Sequence, residues 1–260
     1  MIQFDCNCYV GNWPFHKVRR NSFEEIKKLH QQNGIEGGFV SSLEAIFYND
    51  PWEADAELHQ AIKGEPNYHH VLTVNPMLPG TIDSIHRAVK EWGIRGVRLL
   101  PGFHGYNLTD DKVRAVCDVI REYDLIVFIT IRMEDERNTY FFHPRTVNLG
   151  ELIDFFYLNK SMKAIICGAW HGDMLYLRPI LEGMDTTADI YWECSAMRTG
   201  LYIVDDLYKQ NRTDRLLYGS MAPIFVLKST RLLVETADIP EEEKEKILTC
   251  KNIRDKGWMN

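Results

Sequence analysis

The sequence has no CxxC pair, no basic stripe, no internal repeat, no low-complexity linker and no long apolar run. Each absence removes a class of protein. Six cysteines, at positions 6, 8, 117, 167, 194 and 250 of a 260-residue chain, are too few and too scattered for a disulfide framework. They read as reduced, mostly buried thiols. Lys and Arg are dispersed and the net charge is −7, which argues against a nucleic-acid partner or an anionic membrane surface. No stretch approaches the roughly 18 apolar residues of a membrane-spanning helix. The start, MIQFDCNCYVG, lacks a basic segment followed by an apolar one, so no membrane partner and a cytoplasmic location are expected.

What is present is ordinary soluble-protein composition, 45% hydrophobic and 26% charged, in a chain of the length that one α/β barrel occupies. A single domain over 1–260 is expected. Short apolar runs alternate with amphipathic stretches, the mark of repeated βαβ units and a parallel sheet. Strands are predicted at 2–10, 36–42, 70–75, 95–100, 125–131, 163–169, 189–195 and 215–220. Helices are predicted at 22–33, 54–63, 81–92, 109–123, 147–159, 173–184, 199–210 and 240–250. The first carries a capping box, Ser22 with Glu25, and Gly34 as a stop. Eight strands in this alternation predict an α/β fold of the (β/α)8 TIM-barrel type. The segment 133–146 is long for a βα loop and would lie over the barrel mouth as a lid, or as a solvated loop with aromatic anchors.

The run Phe4-Asp5-Cys6-Asn7-Cys8-Tyr9-Val10-Gly11 resembles the first strand of amidohydrolase-related proteins, Asp-x-His-x-His-x-Gly, with both histidines replaced. Further segments resemble that family in the same order. They are Val74-Asn75-Pro76, then Gly96-Val97-Arg98-Leu99-Leu100-Pro101 with Gly105-Tyr106, then Lys163 to Gly168, Tyr191 to Ser195 and Leu217 to Pro223, with Ile247, Leu248 and Asn252 near the end. The resemblance covers nearly the whole chain and implies a barrel whose family members bind one or two divalent ions. In the family, His residues on strands five and six and an Asp on strand eight complete the ligand set. Here those positions read Thr130, Gly168 and Met221, and Asn7 and Tyr9 stand for the first-strand histidines. Amide, glycine and thioether groups do not make a catalytic zinc site, so no metal and no cofactor are expected. Without the ion, bound water keeps its high pKa. Pyrone-dicarboxylate lactonases in the family work without metal through the eighth-strand Asp, and that Asp is also missing here. His171, three residues past Gly168, is the one group placed to occupy part of the vacated space.

Candidate residues follow from this frame. Asn7 and Tyr9, two apart on a strand, should both face the barrel interior. Arg98 and Arg132, at the ends of strands four and five, could clamp a carboxylate or phosphate, or pair with Glu134, Asp135 or Glu193. His104, His143 and His171 sit in predicted top-face loops where an imidazole could act as general base, with His16 a lesser candidate. Glu193 on strand seven could project inward with a raised pKa, or pair with an arginine. Thr130 and Trp170 complete the expected substrate-binding set, Trp192 is expected to fill the barrel, and His30, His59 and His86 read as helix-surface residues. Cys6 and Cys8, placed on one face of a strand, read as packing residues.

Two functions are consistent with this set. One is a metal-independent hydrolase or lyase acting on a small anionic, carboxylated substrate. The other is a non-catalytic small-molecule-binding or regulatory protein. A displaced metal site built from Cys6, Cys8, His104 or His171 is a third reading. The expected partner is a small anionic molecule, with homo-oligomerisation open.

Overall fold

The apolar runs become eight strands, each followed by a helix or helical turn, in a computed structural model that describes residues 2–135, 142–198, 200 and 202–259. In chain order these are β1 (Gln3–Val10), α1 (Phe23–Gln31), β2 (Ile35–Ser42), α2 (Pro51–Ile62), β3 (Tyr68–Val74), α3 (Thr81–Trp92) and β4 (Gly96–Leu99). Then come α4 (Pro101–His104), α5 (Asp111–Glu122), β5 (Ile126–Thr130), α6 (Leu149–Leu158), β6 (Lys163–Cys167) and α7 (His171–Gly183). The chain continues with β7 (Asp189–Glu193), α8 (Ile203–Lys209), β8 (Leu216–Leu217), α9 (Leu227–Glu235), α10 (Glu241–Leu248) and α11 (Lys251–Arg254). The predicted strands and helices all have counterparts. The sequence reading missed α4, α9 and α11, which are short or begin without a capping side chain.

All eight strands run parallel in the order β1 to β8. β1 then meets β8 and the turn that follows it: Cys6 N donates to Tyr218 O at 2.9 Å, Met221 N to Asn7 O at 2.7 Å and Tyr9 N to Ala222 O at 2.8 Å. The result is a (β/α)8 barrel. At its lower end, Phe4, Phe39, Ile126, Ile165, Tyr191 and Leu217 fill the interior, and Cys250, Ile253 and Trp258 pack against them from below. Burial of each large apolar side chain is worth about 1.5–3 kcal/mol.

Two expectations fail for the same kind of reason, the face on which a strand residue lands. The pairing of β1 with β2 slips between Asp5 and Cys8. This bulge sends Cys6 into the barrel and Cys8 into the layer between sheet and helices, so the two thiols do not share a face. Likewise Trp192 packs into that outer layer, whereas its neighbour Tyr191 points into the barrel. Among the described residues no helix is long and apolar enough to cross a membrane.

Candidate functional site

Pleating brings side chains from β1, β2, β4, β5 and β7 into one inward layer near the upper ends of the strands. Arg98 occupies its middle. The side chain is wholly buried, Nε donates to Ser41 Oγ at 2.8 Å, and Nη1 donates to Thr130 Oγ1 at 2.7 Å. Its guanidinium carbon lies 4.6 Å from the centre of the Tyr9 ring and 5.1 Å from that of Phe128, so two π faces sandwich the charge. Nη2 has no hydrogen-bond partner among the described residues.

Around Arg98 the polar groups are equally buried and unevenly satisfied. Asn7 and Tyr9 both face inward, and Asn7 Oδ1, Asn7 Nδ2 and Tyr9 Oη make no well-formed hydrogen bond. Burial pushes the Tyr9 phenol well above its ordinary range and raises the Cys167 thiol to about 12. Glu193 also projects inward, but its carboxylate is fully used. Oε1 accepts from Gly168 N at 2.6 Å and Ser195 Oγ at 2.8 Å, and Oε2 accepts from Ser195 N at 2.6 Å. Burial raises its pKa while these three donors pull it back. The carboxylate therefore braces the turns that follow β6 and β7. Gly168 in that turn has φ +72°, and a Cβ there would stand 2.1 Å from the Arg132 carbonyl oxygen, so only glycine fits.

An apolar cap closes this layer from above: Tyr9 packs with Trp13, Leu43, Ile46, Leu100, Met133 and Met221. Above the cap lies an open pocket of about 240 Å³. Trp13, Phe15 and Phe103 wall one side, and residues 131–135 and 143–146 form the other. Phe142 stacks on Phe15 with centroids 6.0 Å apart, and Trp13 Nε1 donates to Glu134 Oε2 at 2.9 Å. Arg132, His143 and Arg145 bring basic groups to the lining, and Glu134 and Asp135 bring acidic ones.

The predicted site residues thus divide among several places. Asn7, Tyr9, Arg98, Thr130 and Glu193 share the buried layer. Arg132 and His143 line the pocket above it. Arg98 and Arg132 do not form a clamp, because their partners are separate. Arg132 Nη1 donates to Asp173 Oδ2 at 2.5 Å and to the Gly168 carbonyl at 3.2 Å, and its guanidinium lies 4.1 Å from the Trp170 ring centre. Asp173 also takes the Trp170 N–H at the start of α7, so this pair fixes a helix end. His104, on α4, is held against the Ile46 carbonyl through Nε2 at 2.9 Å, and burial lowers its pKa. His171 opens α7 and does not line the pocket. His16 lies 3.3 Å from Glu134 Oε1 at the pocket edge. Of the loop read as a lid or as a solvated loop with aromatic anchors, 136–141 lies outside the described residues, and its two flanks form the pocket wall.

The displaced metal site does not assemble either. Cys6 is inside the barrel, Cys8 outside it, and neither His104 nor His171 joins them. Among the described residues the one group with metal-ligand spacing is Asp5, Cys8 and His30, wholly buried between β1 and α1. There Asp5 is already engaged: Oδ1 accepts from Asn7 N and Ser220 N, Oδ2 accepts from Ser220 Oγ at 2.5 Å, and His30 Nε2 lies 3.2 Å from Oδ2. His30 is therefore a core residue rather than a surface one, stacked on Tyr68 at 5.8 Å and joined to its hydroxyl through Nδ1 at 3.1 Å. The sequence reading also missed the pocket aromatics Trp13, Phe15 and Phe103. The dense NWPF run after β1 was the available signal.

A family model described as Amidohydrolase matches residues 16–250, and the chain belongs to that family. No curated protein matches the sequence. Among solved structures, a 5-carboxyvanillate decarboxylase from Novosphingobium aromaticivorans, complexed with manganese and 4-hydroxy-3-methoxy-5-nitrobenzoic acid, superposes with a TM-score of 0.71 at 14% identity. The match covers 99% of this chain and 96% of that one. The 2,6-dihydroxybenzoate decarboxylase from Rhizobium gives 0.68 at 13% identity over 98% of each chain. An uncharacterised TIM-barrel protein from Bordetella bronchiseptica gives 0.72 at 14% identity, covering 100% and 99%. At these identities the likeness is one of fold.

Proposed function

We propose that this member of the amidohydrolase family binds a small aromatic carboxylate in the pocket above the barrel mouth and does so without a catalytic divalent metal. The observation that carries the reading is the position of Arg98. A permanently charged guanidinium sits between two rings at the level where metal ligands would converge, under an apolar cap. The donors around it do not suit a divalent cation. Asn7 offers a neutral amide, the Tyr9 phenol is held protonated by burial, Gly168 has no side chain, Met221 lies in the apolar cap, and Glu193 is already bonded to three donors.

The pocket above has the complementary chemistry. Three aromatic walls suit a planar ring of one-ring size, and His143 suits its carboxylate, the two lining guanidiniums being held by Asp173 and Glu151. Two of the structural neighbours are decarboxylases of carboxylated aromatics, which fits this ligand class. The non-catalytic reading is favoured because Glu193 and His104 are committed to backbone partners. A metal-independent lyase keeps one supporting observation, exposed His143 in the pocket lining, where an imidazole could protonate a bound ring.

The test is binding of hydroxybenzoates followed by the part of the tryptophan fluorescence that Trp13→Phe removes, in chelator, alongside elemental analysis. Saturable quenching that survives chelation and is lost in Phe103→Ala is expected. Stoichiometric manganese or zinc that is needed for ligand binding or turnover would overturn the reading. Turnover of a benzoate that persists in chelator and disappears in His143→Asn would select the lyase.

A further inference from the structure

Four polar atoms inside the barrel make no well-formed hydrogen bond among the described residues: Arg98 Nη2, Tyr9 Oη and both side-chain amide atoms of Asn7, with Thr130 near the Tyr9 phenol and the Cys167 thiol near the guanidinium. Leaving a buried donor or acceptor unsatisfied costs about 1–3 kcal/mol, and more when it is charged. Four such atoms together would consume a large part of the roughly 5–15 kcal/mol by which a domain is stable. Hydration alone could bond them, but it would leave a charge in the interior without a counter-ion.

The neighbouring carboxylates do not supply one. Arg98 contacts two hydroxyls, the Cys167 thiol and two rings, and among the described residues no carboxylate lies within ion-pair distance of it. Glu193 is turned to Gly168 and Ser195. Asp55 is turned to His70 Nε2 and Thr73 N, each at 3.0 Å. Both are also pushed toward their neutral forms by burial. The donors belong to one buried neighbourhood: the Tyr9 ring centre lies 4.6 Å from the guanidinium carbon, and Asn7, wholly buried, stands two residues before Tyr9 on β1.

We infer that this buried polar layer holds a small monovalent anion, of halide or formate size, bound by Arg98 Nη2, Tyr9 Oη and Asn7 Nδ2, with a water on Asn7 Oδ1. The anion neutralises the guanidinium and satisfies three of the four unbonded atoms. The site lies beneath the apolar cap and shares no residue with the lining of the mouth pocket. It rests on the metal-free reading of the barrel but not on the identity of the pocket's ligand.

The protein would be dialysed into a buffer whose sole anion is a bulky sulfonate, and its thermal midpoint followed as sodium bromide or sodium formate replaces sulfonate at constant ionic strength. A saturable rise of several degrees is expected for the native chain. Tyr9→Phe should weaken the apparent affinity several-fold, and Arg98→Met should abolish the response. If Arg98→Met does not fold, Tyr9→Phe and Asn7→Leu carry the same comparison. Crystals grown in bromide should show an anomalous peak beside Arg98. A midpoint no more sensitive to bromide or formate than to sulfonate, or bromide-grown crystals without that peak, would overturn the inference while leaving the metal-free reading intact. A transition-metal edge signal at the same place would overturn both.

Discussion

The two ends of this barrel solve the problem of a filled interior in opposite ways. Below, apolar side chains from the strands interlock and the segment carrying Cys250, Ile253 and Trp258 seals them. Above, a layer of Asn7, Tyr9, Ser41, Arg98, Thr130 and Glu193 is just as buried, yet it is polar and partly unsatisfied beneath its own apolar cap. Buried apolar packing adds directly to stability, whereas a buried polar layer stabilises only if every group is partnered. The lower end accordingly contributes most to holding the fold, and the upper end is the part on which the proposed ligand binding rests.

Removing the lower seal should have the largest effect. Trp258→Ala deletes a ring that meets Tyr191 edge-on at 5.3 Å. A loss of about 3–5 kcal/mol in urea unfolding is expected, with little change in ligand affinity among the molecules that remain folded. An equal loss of affinity would break the division between the ends.

Arg98→Met should move stability the other way. Taking an uncompensated charge out of the interior is expected to leave stability in sulfonate buffer unchanged or to raise it by about 1–4 kcal/mol. A large loss in that buffer would show the upper layer to be as much a part of the scaffold as the lower one.

Acidity should act on the lower end first. Burial, aided by Arg95, lowers His69 to about 4 from the ordinary imidazole value, and its ring lies beside Phe4 and Phe39. Between pH 6.5 and pH 4 the unfolded chain takes up a proton that the folded one refuses. Stability is therefore complete above the upper value and falls as the pH drops toward the lower one. In His69→Phe that part of the acid sensitivity should vanish, as read from unfolding midpoints across the range.

The smallest stability effect belongs to the mouth. His143 is exposed, so His143→Asn should shift unfolding by less than about 0.5 kcal/mol while weakening carboxylate binding severalfold in the fluorescence titration. A variant that binds as tightly as the native chain would remove His143 from the site.

Much of the barrel was legible because strand and helix periods differ and because cap residues mark helix starts. Thr81–Trp92 was read to the residue, and the Ser22–Glu25 capping box is formed as expected. The inward direction of Asn7, Tyr9 and Glu193 was also readable from position on a strand. What the sequence hid were local departures from regular pairing and contacts between distant segments. The slip between Asp5 and Cys8 reverses the facing of everything before it relative to everything after it, and no residue type announces it. His30 looked solvent-facing on a helix, but its partners Tyr68 and Asp5 come from two strands. Arg132 bonds Asp173, an acid 41 residues away that local sequence position does not point to.

The seam between β1 and β8 bears on how the chain can fold during synthesis. Ser220 bonds Asp5 across 215 residues, and Cys250 Sγ reaches the Phe4 carbonyl across 246. At translation rates of about 5–20 residues per second, β1 therefore waits some ten seconds or more with one edge unpaired. An emerging strand with open N–H and C=O groups is a template for wrong partners. The length of that interval is set by the speed of the ribosome, and slowing codons placed late in the message would lengthen the exposure.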